Sequence, residues 1–170
     1  VTRLITPLAL DKPTLAQQLQ KAGYRTAVFG KMHLQRPGRD GLFGLETCVT
    51  EDIVQRDWKQ QVHPRAIPPN IRTKPPWRPF KDPARIWLNA DKLPYPAYYE
   101  DMQGTYIARQ AQRYLEQRKR DKEPFALWVS FMEPHSPYDF PVEDRDRFDP
   151  AKFPPPRLGP EDAAQVPAVF

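Results

Sequence analysis

Apolar residues recur in two stretches of the chain at the spacing of an amphipathic helix, and each stretch is followed by a short apolar run. The first stretch covers residues 14–22 and precedes the run 26–30, whereas the second covers residues 104–122 and precedes the run 125–131. Helical periodicity favours an amphipathic helix, and a short apolar run between polar segments is typical of a buried strand. The pattern therefore predicts two helix–strand units.

The first predicted helix carries signals at both ends. Thr14 and Gln17 have the spacing of a capping box, in which each side chain accepts a hydrogen bond from the other residue's backbone N–H. Gly23 follows the helix, and glycine at that position ends helices because it adopts a left-handed backbone without steric cost. One apolar face is predicted between these ends, formed by Leu15, Ala16, Leu19 and Ala22.

The second predicted unit is longer and more apolar. Its helix carries an apolar stripe, formed by Ile107, Ala108, Ala111, Tyr114 and Leu115. Pro124 separates the helix from the run 125–131, which is apolar at nearly every position. A strand of that composition is expected to be buried on both faces, as in parallel sheets.

Two helix–strand units favour an α/β architecture with parallel strands, in which ligands bind beyond the carboxyl ends of the strands. Lys31 and His33 follow the first predicted strand, and His135 follows the second. Lysine supplies a fixed positive charge, and histidine a proton donor or acceptor near neutral pH. This set suits an anionic tetrahedral group, such as a sulfate or phosphate ester, whose oxygens need donors in the transition state. The alternative is that these are polar residues which only end two strands.

Proline divides the remainder of the chain. Of its 22 prolines, nine lie in residues 64–96 and nine in residues 134–170. Proline lacks a backbone N–H and fixes φ, so dense proline excludes long helices and central strands. Both segments are therefore predicted to be long loops.

Charge and cysteine content exclude several classes of protein. The net charge is +5, but residues 123–170 carry nine acidic and four basic side chains, and no basic patch has the form of a nucleic-acid-binding module. No apolar run approaches the roughly 18 residues of a membrane span. The single cysteine, Cys48, cannot build a disulfide scaffold. We therefore expect neither a nucleic-acid partner nor a membrane.

Localisation is not readable from the start of the chain. The first residues, VTRLITPLALDKPT, have no signal-peptide pattern and no initiator methionine. A periplasmic or extracellular location and a cytoplasmic one both remain open.

The exact amino-acid sequences of three segments point to a family more specifically than the spacing of their residues does. Residues 14–34 contain TLA and AGYRTAVFGKMHL, residues 40–45 read DGLFGL, and residues 124–138 read PFALWVSFMEPHSPY. In this order, the segments resemble the sulfatase family of the alkaline phosphatase superfamily. The resemblance covers about residues 8–48 and 100–142. Met32 replaces a common tryptophan, which is a mild departure.

The resemblance implies a fold and a chemistry. The fold would be part of a three-layer αβα sandwich with a mainly parallel sheet, interrupted by long Pro-rich loops. Family members hydrolyse sulfate esters with a formylglycine nucleophile and a divalent cation, usually calcium. By resemblance, Lys31 would orient the formylglycine and neutralise sulfate charge, His33 would be the base that releases sulfate, and His135 would contact the sulfate and assist the leaving oxygen.

The family's other functional residues are not found here. The formylglycine motif, Cys/Ser-x-Pro/Ala-x-Arg, does not match Cys48, and no serine fits it. No candidate for the later metal-binding Asp-Asn pair occurs in residues 143–170, where a solvated acidic loop is the expected explanation of the charge. The chain therefore resembles an internal piece of a sulfatase catalytic domain. It would be made of a unit at 14–33, a loop at 64–96, a unit at 104–131 and a loop at 134–170.

Three hypotheses arise from the sequence. The first is a fragment of a sulfatase acting on a small-molecule or carbohydrate sulfate ester, with the 170-residue piece inactive by itself. The second keeps the superfamily but changes the substrate, giving a phosphodiesterase or phosphonate monoester hydrolase. The third is a non-catalytic, degenerate module.

Overall fold

The computed structural model describes residues 12–32, 42–74, 93–135 and 138–155, together with 157, 159 and 161–162. Three helices lie in these ranges: α1 (Leu15–Lys21), α2 (Glu51–Gln61) and α3 (Gln103–Arg118). Three strands accompany them: β1 (Arg25–Gly30), β2 (Thr47–Thr50) and β3 (Phe125–Ser130). Short 3₁₀ turns occur at Leu42–Gly44, Tyr99–Asp101, Val142–Asp144 and Pro150–Lys152.

The three strands form one parallel sheet in the order β2-β1-β3. β1 is the central strand, and its last residue, Gly30, lies in register with Thr50 of β2 and Ser130 of β3. The predicted α/β architecture with parallel strands is confirmed. Because the strands are parallel and in register at this residue, all three carboxyl ends lie at one edge of the sheet.

Helices cover both faces of the sheet. On one face, Ala16 of α1 packs with Val28, Leu45 and Cys48. On the other face, α2 and α3 pack against β1 through a second cluster of buried residues: Ala27, Phe29, Val54, Tyr106, Ile107, Ala111 and Tyr114. Ala27, Val28 and Phe29 divide between the two clusters as the alternation of side chains along a strand requires. The described residues therefore form three layers, αβα.

The ends of α1 are those that the sequence predicts. The Thr14 side chain accepts a hydrogen bond from the Gln17 N–H, and the Gln17 side chain accepts one from the Thr14 N–H, which completes the capping box. Gly23 has a φ of +85°, in the left-handed region that favours glycine. The predicted apolar face is only partly correct, because Leu15 is 67% exposed while Ala16 is buried.

β3 is less buried than its composition predicts. Leu127 and Trp128 pack against the two core clusters. Phe125 and Val129, however, are 42% and 38% exposed. The reason is position: within the described ranges, β3 is an outer strand that pairs with β1 alone, and the side chains of an outer strand have fewer neighbours than those of a central one. The expectation of a strand buried on both faces is therefore wrong for these residues.

β2 and α2 are not among the predicted elements, although they directly precede the first Pro-rich segment. In that segment, residues 64–74 and 93–96 contain no helix or strand, as predicted, and residues 75–92 lie outside the described ranges. The second segment holds only short helical turns where it is described. In the described part of the chain, no helix has the length and apolar character needed to cross a membrane.

Candidate functional site at the carboxyl edge of the sheet

The carboxyl ends of β1 and β3 are joined by direct contacts. The Lys31 backbone N–H donates to the Ser130 carbonyl at 2.9 Å, immediately after the last paired residues. Gly30 has a φ of +102°, and a Cβ atom there would overlap the Ser130 carbonyl oxygen and lie 3.3 Å from Ile107 Cδ1. Only glycine fits this position, and its small size allows the two strand ends to approach closely.

Lys31 is thus placed at the carboxyl edge of the sheet. Its neighbour Met32 packs against the buried cluster on the α1 face. Lys31 itself is half-buried. His33 lies outside the described residues, so its predicted position beside Lys31 stays a prediction.

His135 lies in the loop that follows β3. Its backbone N–H donates to the Met132 carbonyl at 3.0 Å, and its own carbonyl accepts from the Tyr138 N–H at 3.1 Å. The loop also contains a cis peptide bond between Glu133 and Pro134. His135 is exposed, so its imidazole is accessible to a ligand.

His135 lines a cavity of about 360 Å³ between this loop and α2. Three regions of the chain contribute to its walls: Gln55, Trp58 and Lys59 from α2, Tyr95, Met102 and Gln103 from the segment around the start of α3, and Met132, Glu133 and Asp139 from the His135 loop. Lys31 is not among the lining residues. The structure therefore places the carboxyl ends of β1 and β3 next to each other. A shared cleft for Lys31, His33 and His135 stays a prediction.

Two carboxylates of the cavity wall have distinct surroundings. Glu133 lies against the first turn of α3, since a Cβ atom on Gly104 would be 3.4 Å from Glu133 Oε2. The amino end of a helix carries partial positive charge, which favours a carboxylate there. Asp139 forms an ion pair with buried Lys74, with 2.5 Å between Oδ1 and Nζ. Burial, followed by the charge of Asp139, raises the pKa of the Tyr95 hydroxyl, so this phenol stays protonated.

Trp58 is held by a long-range bond rather than by its helix alone. Its indole N–H donates to the Asp101 carbonyl at 3.0 Å, which ties α2 to the start of α3. The Asp101 side chain also accepts hydrogen bonds from the Arg65 backbone N–H and guanidinium, both at 3.1 Å. Burial alone would raise the pKa of Asp101, but these hydrogen bonds and the charge of Arg65 lower it below its usual value.

Sequence reasoning did not place Asp139 at this cavity or Lys74 beside it. Lys74 and Asp139 come from segments without periodicity. Their contact spans 65 positions of sequence, and no local pattern indicates it.

The chain's single cysteine does not fit the role of the family's nucleophile. Cys48 is 4% exposed and packs in the cluster on the α1 face, away from the cavity of His135. Residues 12–32, 42–74, 93–135 and 138–155 contain no group of three histidine, cysteine or carboxylate side chains able to hold a metal ion.

Comparison with known proteins gives three findings. The family model described as Sulfatase matches residues 1–155. A choline-sulfatase of Rhizobium meliloti (strain 1021) is 32% identical over 128 residues, which are 74% of this chain and 24% of that protein. The structure of phosphonate monoester hydrolase SpPMH from Silicibacter pomeroyi matches with a TM-score of 0.61 over 94% of this chain and 34% of that chain. At 20% identity, that likeness shows the fold alone. The chain thus spans 24% and 34% of the lengths of these two proteins.

Proposed function

Because the chain belongs to the sulfatase family, we propose that it is part of a hydrolase that cleaves sulfate esters. In this proposal, Lys31, His33 and His135 supply the charge and the proton transfers at the sulfate. The substrate is a small-molecule or carbohydrate sulfate ester.

One observation carries the proposal. β1 and β3 are adjacent, parallel and in register at Gly30 and Ser130, so the segments after them start from the same edge of the sheet. Lys31 follows the first strand directly, and His135 follows the second at a distance of five residues. Ligands of α/β proteins bind at this edge, and the residue types suit a sulfate group.

Each residue has a chemical task in the proposal. The Lys31 ammonium faces the negative charge of the sulfate oxygens, which increases as the ester bond breaks. His135, in its protonated form, donates to the departing alkoxide, which would otherwise leave as a strong base. His33 accepts a proton in the step that releases sulfate.

The nucleophile and the cation ligands are proposed to come from residues outside this chain. The family uses formylglycine and a divalent cation such as calcium. The formylglycine motif is not found in the sequence, and the described residues contain no group of three histidine, cysteine or carboxylate side chains able to hold a metal ion. For that reason we expect the 170-residue chain alone to be inactive, and activity is tested in the full-length protein.

A second candidate keeps the fold and changes the ester. The alternative substrate is a phosphonate monoester or a phosphodiester, since Lys31, His33 and His135 suit a phosphate ester as well as a sulfate ester. A non-catalytic module is the third hypothesis. Sulfate remains first because the relative of higher sequence identity is a sulfatase.

Hydrolysis of two matched substrates tests the proposal. The full-length protein would be assayed with an aryl sulfate and with the aryl phosphonate that has the same leaving group. We expect kcat/KM for the sulfate to exceed that for the phosphonate. A preference for the phosphonate would support the second candidate, and no turnover of either by metal-supplemented, formylglycine-bearing protein would support the non-catalytic module.

A further inference from the structure

Lys74 is 5% exposed, which is unusual for a lysine because the charged group is rarely buried without a partner. Its Nζ lies 2.5 Å from Asp139 Oδ1. Removal of either residue takes away the opposite charge of this ion pair, which is unfavourable for a group that is partly or fully buried.

Asp139 connects this buried charge to the candidate site. The Asp139 side chain is 29% exposed. Asp139 lines the same cavity as His135, which precedes it by four residues in the chain. The ion pair therefore runs from the wall of the cavity into the protein interior. Lys74 also offsets a negative charge that would otherwise repel an anionic ester in that cavity.

Backbone hydrogen bonds reinforce the ion pair. The Lys74 N–H donates to the Pro94 carbonyl at 2.8 Å. The residue after Pro94, Tyr95, donates its N–H to the Phe140 carbonyl at 2.9 Å, and the Val142 N–H donates to the Ala97 carbonyl at 3.0 Å. Lys74, residues 94–97 and residues 139–142 thus form one connected unit, which we call the clamp.

The clamp and β3 hold the two ends of the His135 loop. Ser130 is fixed in the sheet by its pairing with Gly30, and Asp139 is fixed in the clamp. The two backbone hydrogen bonds at His135 join residues of the same loop to one another, so the attachment of the loop's ends helps to set where it lies relative to the sheet. We propose that Lys74 and Asp139 are positioning residues, whose buried ion pair fixes the loop carrying His135 at the edge of the sheet.

The effect on catalysis rests on the proposed function, whereas the effect on the loop does not. Displacement of a catalytic group by about 1 Å can lower a rate by about 10². Loss of the ion pair should therefore reduce turnover through His135 and should leave residues far from the loop unaffected.

Four variants of the full-length protein separate the ion pair from general stability. Lys74→Met and Asp139→Asn each leave one charge behind. The double variant Lys74→Met/Asp139→Leu removes both charges, and such replacements often keep a protein folded. Asp144→Asn is the matched control, because it breaks the exposed ion pair between Asp144 and Arg147, which lies in the same region of the chain.

Hydrogen–deuterium exchange, followed by mass spectrometry, measures the position of the loop without reference to activity. In the double variant, we expect peptides covering residues 132–142 to exchange about tenfold faster, as for a locally released segment. Peptides of α3 should exchange as in the unchanged protein, and Asp144→Asn should leave residues 132–142 unaffected. Unchanged exchange of residues 132–142 in the folded double variant would overturn the proposal, even if the single variants fail to fold.

A double-mutant cycle tests whether the clamp acts through His135. We expect Lys74→Met/Asp139→Leu to lower kcat for an aryl sulfate about 10–100-fold with little change in KM. In a His135→Ala background, the same pair of substitutions should have almost no further effect. An equal loss in both backgrounds would overturn positioning through His135. Absence of sulfatase activity in the unchanged protein would instead contradict the proposed function, while hydrogen exchange would still decide the role of the clamp.

Discussion

β1 and β3 are adjacent parallel strands of six residues each, but their surroundings differ. β1 reads RTAVFG and β3 reads FALWVS. Ala27 and Val28 of β1 are fully buried, whereas Phe125 and Val129 of β3 are 42% and 38% exposed. β1 lies between two strands, and β3 has a described neighbour on one side only. Composition therefore predicts that a segment forms a strand, but the order of strands decides how deeply each one is buried.

The two strands also lead into different kinds of segment. β1 ends in Gly30, which brings Lys31 against the end of β3. β3 continues into a longer loop, and His135 reaches its cavity only at the fifth residue after the strand. Lys31 is therefore positioned by the sheet itself, whereas His135 depends on contacts outside the sheet.

Substitution of Gly30 by alanine should have the largest effect on stability. A Cβ atom would overlap the Ser130 carbonyl, and the φ of +102° is strained for any residue with a side chain. We expect the free energy of unfolding to fall by about 4 kcal/mol, from strain and overpacking together. Gly23→Ala is the control: its φ is +85° but nothing lies within 4 Å, so a loss of about 1 kcal/mol is expected. Equal losses in urea denaturation would show that Gly30 is not a point of close packing.

Truncation of one valine in each strand measures the difference in burial. Val28→Ala removes two methyl groups from a fully buried side chain, and we expect a loss of about 2 kcal/mol. Val129→Ala affects a side chain that is 38% exposed, for which a loss of about 0.5 kcal/mol is expected. Urea denaturation of both variants gives the values. If Val129→Ala costs as much as Val28→Ala, then β3 is buried by residues outside the described ranges.

The smallest effect on stability is expected for the ion pair of Arg65 and Asp101, which lies outside the sheet. Since Arg65 lowers the pKa of Asp101, the contact stabilises the fold above the ordinary carboxyl pKa of about 4. That stabilisation is lost as the pH falls through the lower pKa of the folded state. Asp101→Asn should therefore be slightly less stable at neutral pH, and the difference should shrink in acid. Thermal unfolding between about pH 3 and pH 7 checks this, and a difference that grows in acid would contradict it.

The parts of the fold that the sequence predicts are those with local signals. The capping box of Thr14 and Gln17 and the helical stripe around Ile107 and Ala111 are properties of short segments. The capping box appears in the structure as predicted, and the stripe does so except at Leu115, which is 40% exposed. β2 is only four residues long and half polar, so it resembles a loop. Burial of β3 depends on its neighbours, which no local pattern describes.

The residues of the candidate site also fall into those that local sequence rules indicate and those that they do not. Lys31 and His135 follow strands, so the rule for parallel sheets indicates them. Lys74 and Asp139 lie in segments without periodicity, and their pairing depends on how distant loops meet. Such long-range contacts between loops require the fold itself to be known.

The most direct test of the proposed site is the hydrolysis of an aryl sulfate by four variants of the full-length protein. Lys31→Ala, His33→Ala and His135→Ala should each lower kcat/KM about 10²–10³-fold, as does loss of one transition-state contact in other hydrolases. His63→Ala changes the chain's third histidine, which is exposed and outside the proposed site, and should leave kcat/KM within about twofold of the unchanged protein. A His135→Ala variant as active as His63→Ala would contradict the site at the carboxyl ends of β1 and β3.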